Sequence, residues 1–160
     1  MSPSSEFLFR LPKAELHVHL DGSLRTDTML DLAAERGITM PAPTAESLYE
    51  YMVVSDAKNL EEYLARFHLT LSVMQDAEAI ERIAYELAED HAKENITYME
   101  ARFSPILNAE GDLEPYEALE AALRGLSRAE QDYDIRTGVI VCALRSLPQS
   151  LLARFPAGPE

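Results

Sequence analysis

Basic residues are scarce in this sequence: 14 lysines and arginines stand against 28 aspartates and glutamates in 160 residues, for a formal net charge of −14. A chain this acidic repels phosphate backbones, which argues against nucleic acid as a partner and in favour of a small neutral or cationic ligand. Cysteine occurs once, at Cys142, so no internal disulfide can form. The apolar run VIVCAL around Cys142 reads as the setting of a buried structural thiol. No hydrophobic run approaches the length of a membrane span, and the opening MSPSSEFLFRLPK lacks the apolar centre of a secretory signal. The expectation is a cytoplasmic protein with no membrane partner. Internal repeats and low-complexity tracts are also missing. What is present, a hydrophobic fraction of 47% in a chain long enough for one real core, is the composition of a globular domain.

Along the chain, residues 1–10 read as a flexible leader, 11–148 as the body of a domain and 149–160 as an atypical tail. A strand is expected over 13–20. A helix follows, capped by Thr26 or Asp27 and closed by Gly37. Thr44 is placed to cap a short helix over 45–51. In NLEEYLARFHLTLSVM (59–74), Leu60, Tyr63, Leu64, Phe67 and Leu71 recur at helical spacing. Asp76 caps a long helix to about Glu94, and Pro115 suits the first turn of another. ITYMEARF (96–103) and IRTGVIVCALR (135–145) have the β-branched and aromatic content of strands. The order is β, several helices, β, helix, β, with near-continuous apolar strands and crossovers long enough for a helix. That is an α/β pattern with a parallel sheet, either a barrel or a doubly wound sheet.

The segment ELHVHLDG (15–22) carries the chemistry. Strict alternation puts Leu16, Val18 and Leu20 on one face and Glu15, His17, His19 and Asp21 on the other. Both faces of a parallel sheet are buried, so four ionisable groups on one of them need partners. Two imidazoles at i and i+2 lie roughly 7 Å apart at Cα and can converge on one ion. Neutral imidazole suits Zn²⁺, and Asp21 could add a carboxylate or hold a substrate hydroxyl. Gly22 allows a sharp exit and leaves room for a ligand. The plain alternative is two core histidines bonded to backbone. Tyr98, Glu100 and Arg102 share a face of the second strand, and a buried ion pair between Glu15 and Arg102 is expected. Ser104 falls at the mouth, where a hydroxyl meets substrate. His68 and His91 read as helix-surface or helix-packing residues.

PKAELHVHLDGSL (12–24) resembles the opening strand of the adenosine deaminase family, in the amidohydrolase group of metal-dependent barrels. The likeness runs on through NLEEYLARFHLTLSVM and AIERIAYELAEDHAKENITYMEARFSP (79–105) into the third strand, covering residues 11 to about 148. It implies the N-terminal portion, about three strand–helix units, of a TIM-type (β/α)₈ barrel. It implies His17 and His19 as two zinc ligands and Asp21 as the residue that binds the ribose 5′-hydroxyl of a purine nucleoside. Leu60, Tyr63, Leu64 and Phe67 match the apolar helix over the substrate pocket. The implied reaction is zinc-dependent hydrolysis of adenosine or deoxyadenosine to the inosine and ammonia products. The family's third zinc histidine, its proton-shuttling glutamate, its histidine near the attacking water and its Asp-Asp pair have no match in these residues. LLARFPAGPE departs from the family pattern and reads as a truncated or frame-shifted end, so the expectation is half a zinc site, inactive alone.

Three rivals stand beside this reading. Adenine deaminases resemble the first strand with Glu in place of Asp21, and aminodeoxyfutalosine deaminases are harder to exclude. Nucleic-acid deaminases need His-x-Glu and Pro-Cys-x-x-Cys, which one cysteine cannot supply. A non-catalytic remnant with open sheet edges is the last.

Overall fold

The structure, a computed structural model, describes residues 3–53 and 60–144, apart from the side chains of 60–65. Three segments form one parallel sheet: β1 (Lys13–His19), β2 (Ile96–Phe103) and β3 (Arg136–Val141), in the order β1-β2-β3. Six helices accompany them: α1 (Ser5–Arg10), α2 (Thr26–Arg36), α3 (Ala45–Met52), α4 (Leu60–Ser72), α5 (Ala77–Lys93) and α6 (Pro115–Asp132). The parallel pairing and the crossover helices agree with the sequence pattern. The leader holds a short helix, α1, with every residue exposed. The tail 149–160 lies outside the described residues.

The helix ends follow local chemistry. Asp76 caps α5, its carboxylate accepting the Ala79 amide at 2.8 Å, and Thr44 caps α3 in a reciprocal pair with Ser47. Pro115 opens α6, where its missing N–H leaves nothing unpaired. At α2 the first non-helical residue is Arg25 rather than Thr26 or Asp27, and no side chain caps that end. Arg25 turns outward instead, and its guanidinium spans Asp90 (Nε to Oδ2, 2.9 Å) and Glu89 (2.5 Å) on α5. That contact fastens α2 to α5.

The core lies between the sheet and the helices. Met99, Ala101 and Phe103 of β2 are buried there with Ile80, Ile83, Ala84 and Leu87 of α5 and Ala118, Ala122 and Leu126 of α6. The stripes at i, i+3, i+4 and i+7 supply the helical half of this layer. Gly125 lets α5 and α6 meet closely: a Cβ there would stand 2.2 Å from the Glu81 carbonyl oxygen. Cys142 differs from expectation. It is half-buried just past β3, with its thiol 3.8 Å from the Ile140 carbonyl, because β3 is the edge strand of the described sheet. No helix of the described residues is long and apolar enough to cross a membrane.

Candidate metal and substrate site

β1 runs parallel to β2 with two irregularities in the pairing. Lys13 pairs with Ile96 and Ala14 with Tyr98, so β2 carries an extra residue there; Glu15 pairs with Met99 and Val18 with Ala101, so β1 carries one between them. The second bulge breaks the strict alternation read from the sequence. Glu15 falls in register with Met99, whereas His19 falls in register with Arg102. The expected Glu15–Arg102 ion pair is therefore not formed. Glu15 Oε1 accepts the His17 amide at 2.8 Å, and Arg102 Nη2 donates to the Leu16 carbonyl at 3.4 Å. Leu16, expected on the apolar face with Val18 and Leu20, is 56% exposed at the bulge.

His17 and His19 nonetheless stand together. Their ring centroids are 5.5 Å apart, at 39° to each other, and both residues are exposed on the sheet face that the helices leave open. The chain then leaves the strand through a 3₁₀ turn, Leu20–Gly22, which carries Asp21 out of the strand. His19 Nδ1 and Asp21 Oδ1 are 3.6 Å apart, too far for a hydrogen bond, and Asp21 Oδ1 is buried with no partner. Burial pushes the Asp21 carboxyl above the ordinary range, with His19 acting in the opposite sense. The Ser23 hydroxyl donates to the His19 carbonyl at 2.6 Å and fixes the turn. Sequence reading did not single out Ser23, although a serine just after an Asp-Gly turn is a usual signal for such a bond.

The residues expected to line the pocket divide. Leu60, Tyr63 and Leu64 lie on α4 by backbone, and their side chains lie outside the described residues. Phe67 reaches the site: its ring meets His19 edge-on at 6.3 Å, and a Cβ on Gly22 would sit 3.3 Å from it. A side chain at position 22 would press on the Phe67 ring, so Gly22 eases the approach of α4 to the turn. Ser104 follows β2 at the same end of the sheet and is buried, with its hydroxyl unpartnered. Asn108 nearby keeps Oδ1 unpartnered while Nδ2 donates to the Met74 carbonyl at 2.8 Å. Gln75 joins the end of α4 to this loop, donating to the carbonyls of Leu71 (2.8 Å) and Leu107 (2.9 Å). His68 is exposed on α4, and His91 contacts the Leu87 carbonyl at 2.8 Å on α5; neither joins the pair.

Two adjacent imidazoles and an orphaned buried carboxylate oxygen fit part of a divalent-metal coordination sphere. Among the described residues no group of three or more His, Cys, Asp or Glu forms a complete one. The pair stands at the C-terminal end of a parallel strand, where α/β sheets place their ligand sites.

Residues 12–155 match the adenosine deaminase family. The chain belongs to the adenosine deaminase family. It is 48% identical over 139 residues to an adenosine deaminase of Vibrio atlanticus, a stretch covering 87% of this chain and 42% of that protein. It is 43% identical over 139 residues to an adenosine deaminase of Clostridium botulinum, covering 86% of this chain and 42% of the relative. The chain thus spans about two fifths of the length of these relatives. Among solved structures it superposes on an amidohydrolase from Burkholderia ambifaria with bound zinc at TM-score 0.68 and 27% identity, over 88% of this chain and 39% of that one. It also superposes on an adenine deaminase from Arthrobacter aurescens at TM-score 0.72, over 81% of this chain and 39% of that one; at 22% identity this likeness speaks for the fold. The open three-stranded sheet is thus the counterpart of part of these larger folds, as the sequence implied.

Proposed function

We propose that these residues are the opening part of a zinc-dependent hydrolase that deaminates adenosine and deoxyadenosine, giving inosine-type products and ammonia. The observation that carries this reading is the His17–His19 ring pair beside Asp21, whose Oδ1 is buried without a partner, at the C-terminal end of a parallel strand. His17 and His19 supply two of the ligands. Zinc, when bound, supplies a water acidic enough to act as a nucleophile near neutral pH. Asp21 accepts a hydrogen bond from the sugar 5′-hydroxyl, which gives its orphaned oxygen a partner. Phe67 and Gly22 shape the wall beside His19. The buried Ser104 hydroxyl offers a second polar contact at the mouth.

A related purine deaminase, of the adenine type, is the competing reading, which a shared fold does not separate from the first. Asp21 separates the two, since adenine has no sugar hydroxyl for it to hold. The test is ammonia release by the gene product that contains these residues, offered adenosine, deoxyadenosine, adenine and AMP. Adenosine and deoxyadenosine should be the better substrates, and Asp21→Ala should raise KM for adenosine about tenfold or more. Preference for adenine or AMP overturns the reading. The 160 residues alone, with two imidazoles in place, should release no ammonia.

A further inference from the structure

A bulge leaves backbone groups that the strand ladder cannot pair. In β1 these fall at the metal-binding pair itself. From Glu15 to Val18 the first strand advances three residues while β2 advances two, from Met99 to Ala101. The compensating irregularity near Ile96 restores the register, so Lys13 pairs with Ile96 and His19 with Arg102. The displaced segment is thus confined to Ala14–His17. Two side chains serve its backbone. Glu15 Oε1 accepts the His17 N–H at 2.8 Å, and Arg102 Nη2 approaches the Leu16 carbonyl at 3.4 Å.

The Glu15 contact is the shorter, and it is local: a side chain two residues back fastens the amide of the first histidine. His17 is exposed, and its ring lies beside that of His19. We propose that Glu15 is a positioning residue, whose carboxylate holds the His17 amide in the β1 bulge and so sets the His17 and His19 rings side by side. It touches neither metal nor substrate and acts through the backbone of His17. The consequence for metal binding rests on the function proposed above; the ring geometry does not.

The test uses the full 160-residue chain, isotope-labelled and metal-free, and then titrated with zinc alone. In the parent, a scalar coupling across the hydrogen bond from the His17 nitrogen to the Glu15 side-chain carboxyl carbon should be detectable, with cross-relaxation between the two imidazole rings. Glu15→Ala should speed exchange of the His17 amide about tenfold and weaken the ring cross-relaxation. It should also weaken zinc binding about tenfold, in the range for residues that orient ligands. Glu15→Gln keeps an oxygen acceptor and should restore amide exchange and zinc affinity to within about threefold of the parent. Equal behaviour of parent and Glu15→Ala overturns the proposal, as does a Glu15→Gln variant no better than Glu15→Ala. Should Glu15→Ala fail to fold, absence of the coupling in the parent overturns it and its presence with rescue by Glu15→Gln supports it. A parent that binds no zinc defeats the metal reading, while the amide and ring measurements still decide the role of Glu15.

Discussion

The two faces of β2 alternate residue by residue yet obey different rules. Met99, Ala101 and Phe103 point into the layer of α5 and α6 and are almost wholly buried. Tyr98, Glu100 and Arg102 occupy the other face, where the Tyr98 hydroxyl donates to Glu100 at 2.9 Å and Arg102 leaves its Nε buried without a partner. On β1 the same division separates Val18, packed on the core, from the exposed His17 and His19. The covered face satisfies its groups and pins the chain. The open end of the sheet keeps unsatisfied atoms at Asp21, Ser104 and Asn108. Such atoms lower stability unless something binds there. Stability and chemistry are thus segregated across one sheet only a residue thick.

The sharpest way to break this division is to disturb the covered side. At Gly125 a Cβ would press to 2.2 Å from the Glu81 carbonyl oxygen and 3.0 Å from the Ala84 Cβ, both parts of a helix that cannot rotate away. Gly125→Ala should separate α5 from α6 and destabilise the chain by about 3 kcal/mol, despite the better helix propensity of alanine. Chemical denaturation of the two proteins measures it. A neutral substitution would mean that the helices cross with slack.

How much of this was legible in the sequence depends on whether the deciding interaction is local. Asp76 as a cap, Pro115 in a first turn and the closing Gly37, which takes the left-handed conformation (φ 66°), are set by neighbours within one turn. The amphipathic stripes of α5 and α6 place the core because one period decides which side is apolar. The strand ends of β2 coincide with the reading over 96–103. The bulge in ELHVHLDG escaped, because a polar–apolar alternation reads the same whether or not one residue is looped out. Register is settled by β2, some eighty residues away, and by a Glu15 carboxylate that takes the place of a ladder acceptor. The histidine pair survived that error: His19 lies beyond the bulge, and His17, inside it, still sets its ring 5.5 Å from that of His19. The half-buried state of Cys142 was hidden for a similar reason: apolar flanks record strand propensity, while burial depends on what pairs beyond β3.

A smaller effect is expected from charge on the covered side. Glu89 on α5 receives the Tyr133 hydroxyl, Arg25 at 2.5 Å and Lys93 at 3.0 Å, and these contacts hold its carboxyl down from 4.5 to about 2. The folded state therefore prefers the ionised form. Its contribution is complete above the ordinary carboxylate range and fades as pH falls from about 4.5 towards 2. The loss should be on the order of 2 kcal/mol, discounted from the full shift for partial exposure of Arg25 and Lys93. Thermal unfolding followed from pH 5 to pH 2 should show that decline in the parent and a flatter profile in Glu89→Gln, which already lacks the ionised form. Parallel profiles would remove Glu89 from the network that fastens α2 and α6 to α5.

The least effect on stability belongs to the residue with the most chemistry. His17 is exposed, and its side chain supports no hydrogen bond in the core. His17→Ala should leave the midpoint of denaturation within about 0.5 kcal/mol of the parent, as surface substitutions do. The same variant should abolish the zinc-dependent shift of the His19 ring resonances, since one imidazole alone binds zinc feebly. The two readouts together decide whether the open face is functional. A destabilisation of 2 kcal/mol or more, with zinc binding kept, would make His17 a packing residue and move the metal elsewhere. Silence in the denaturation curve with loss of the zinc response would place its cost in ligand binding alone. That is the outcome expected where a sheet keeps its packing on one face and its ligands on the other.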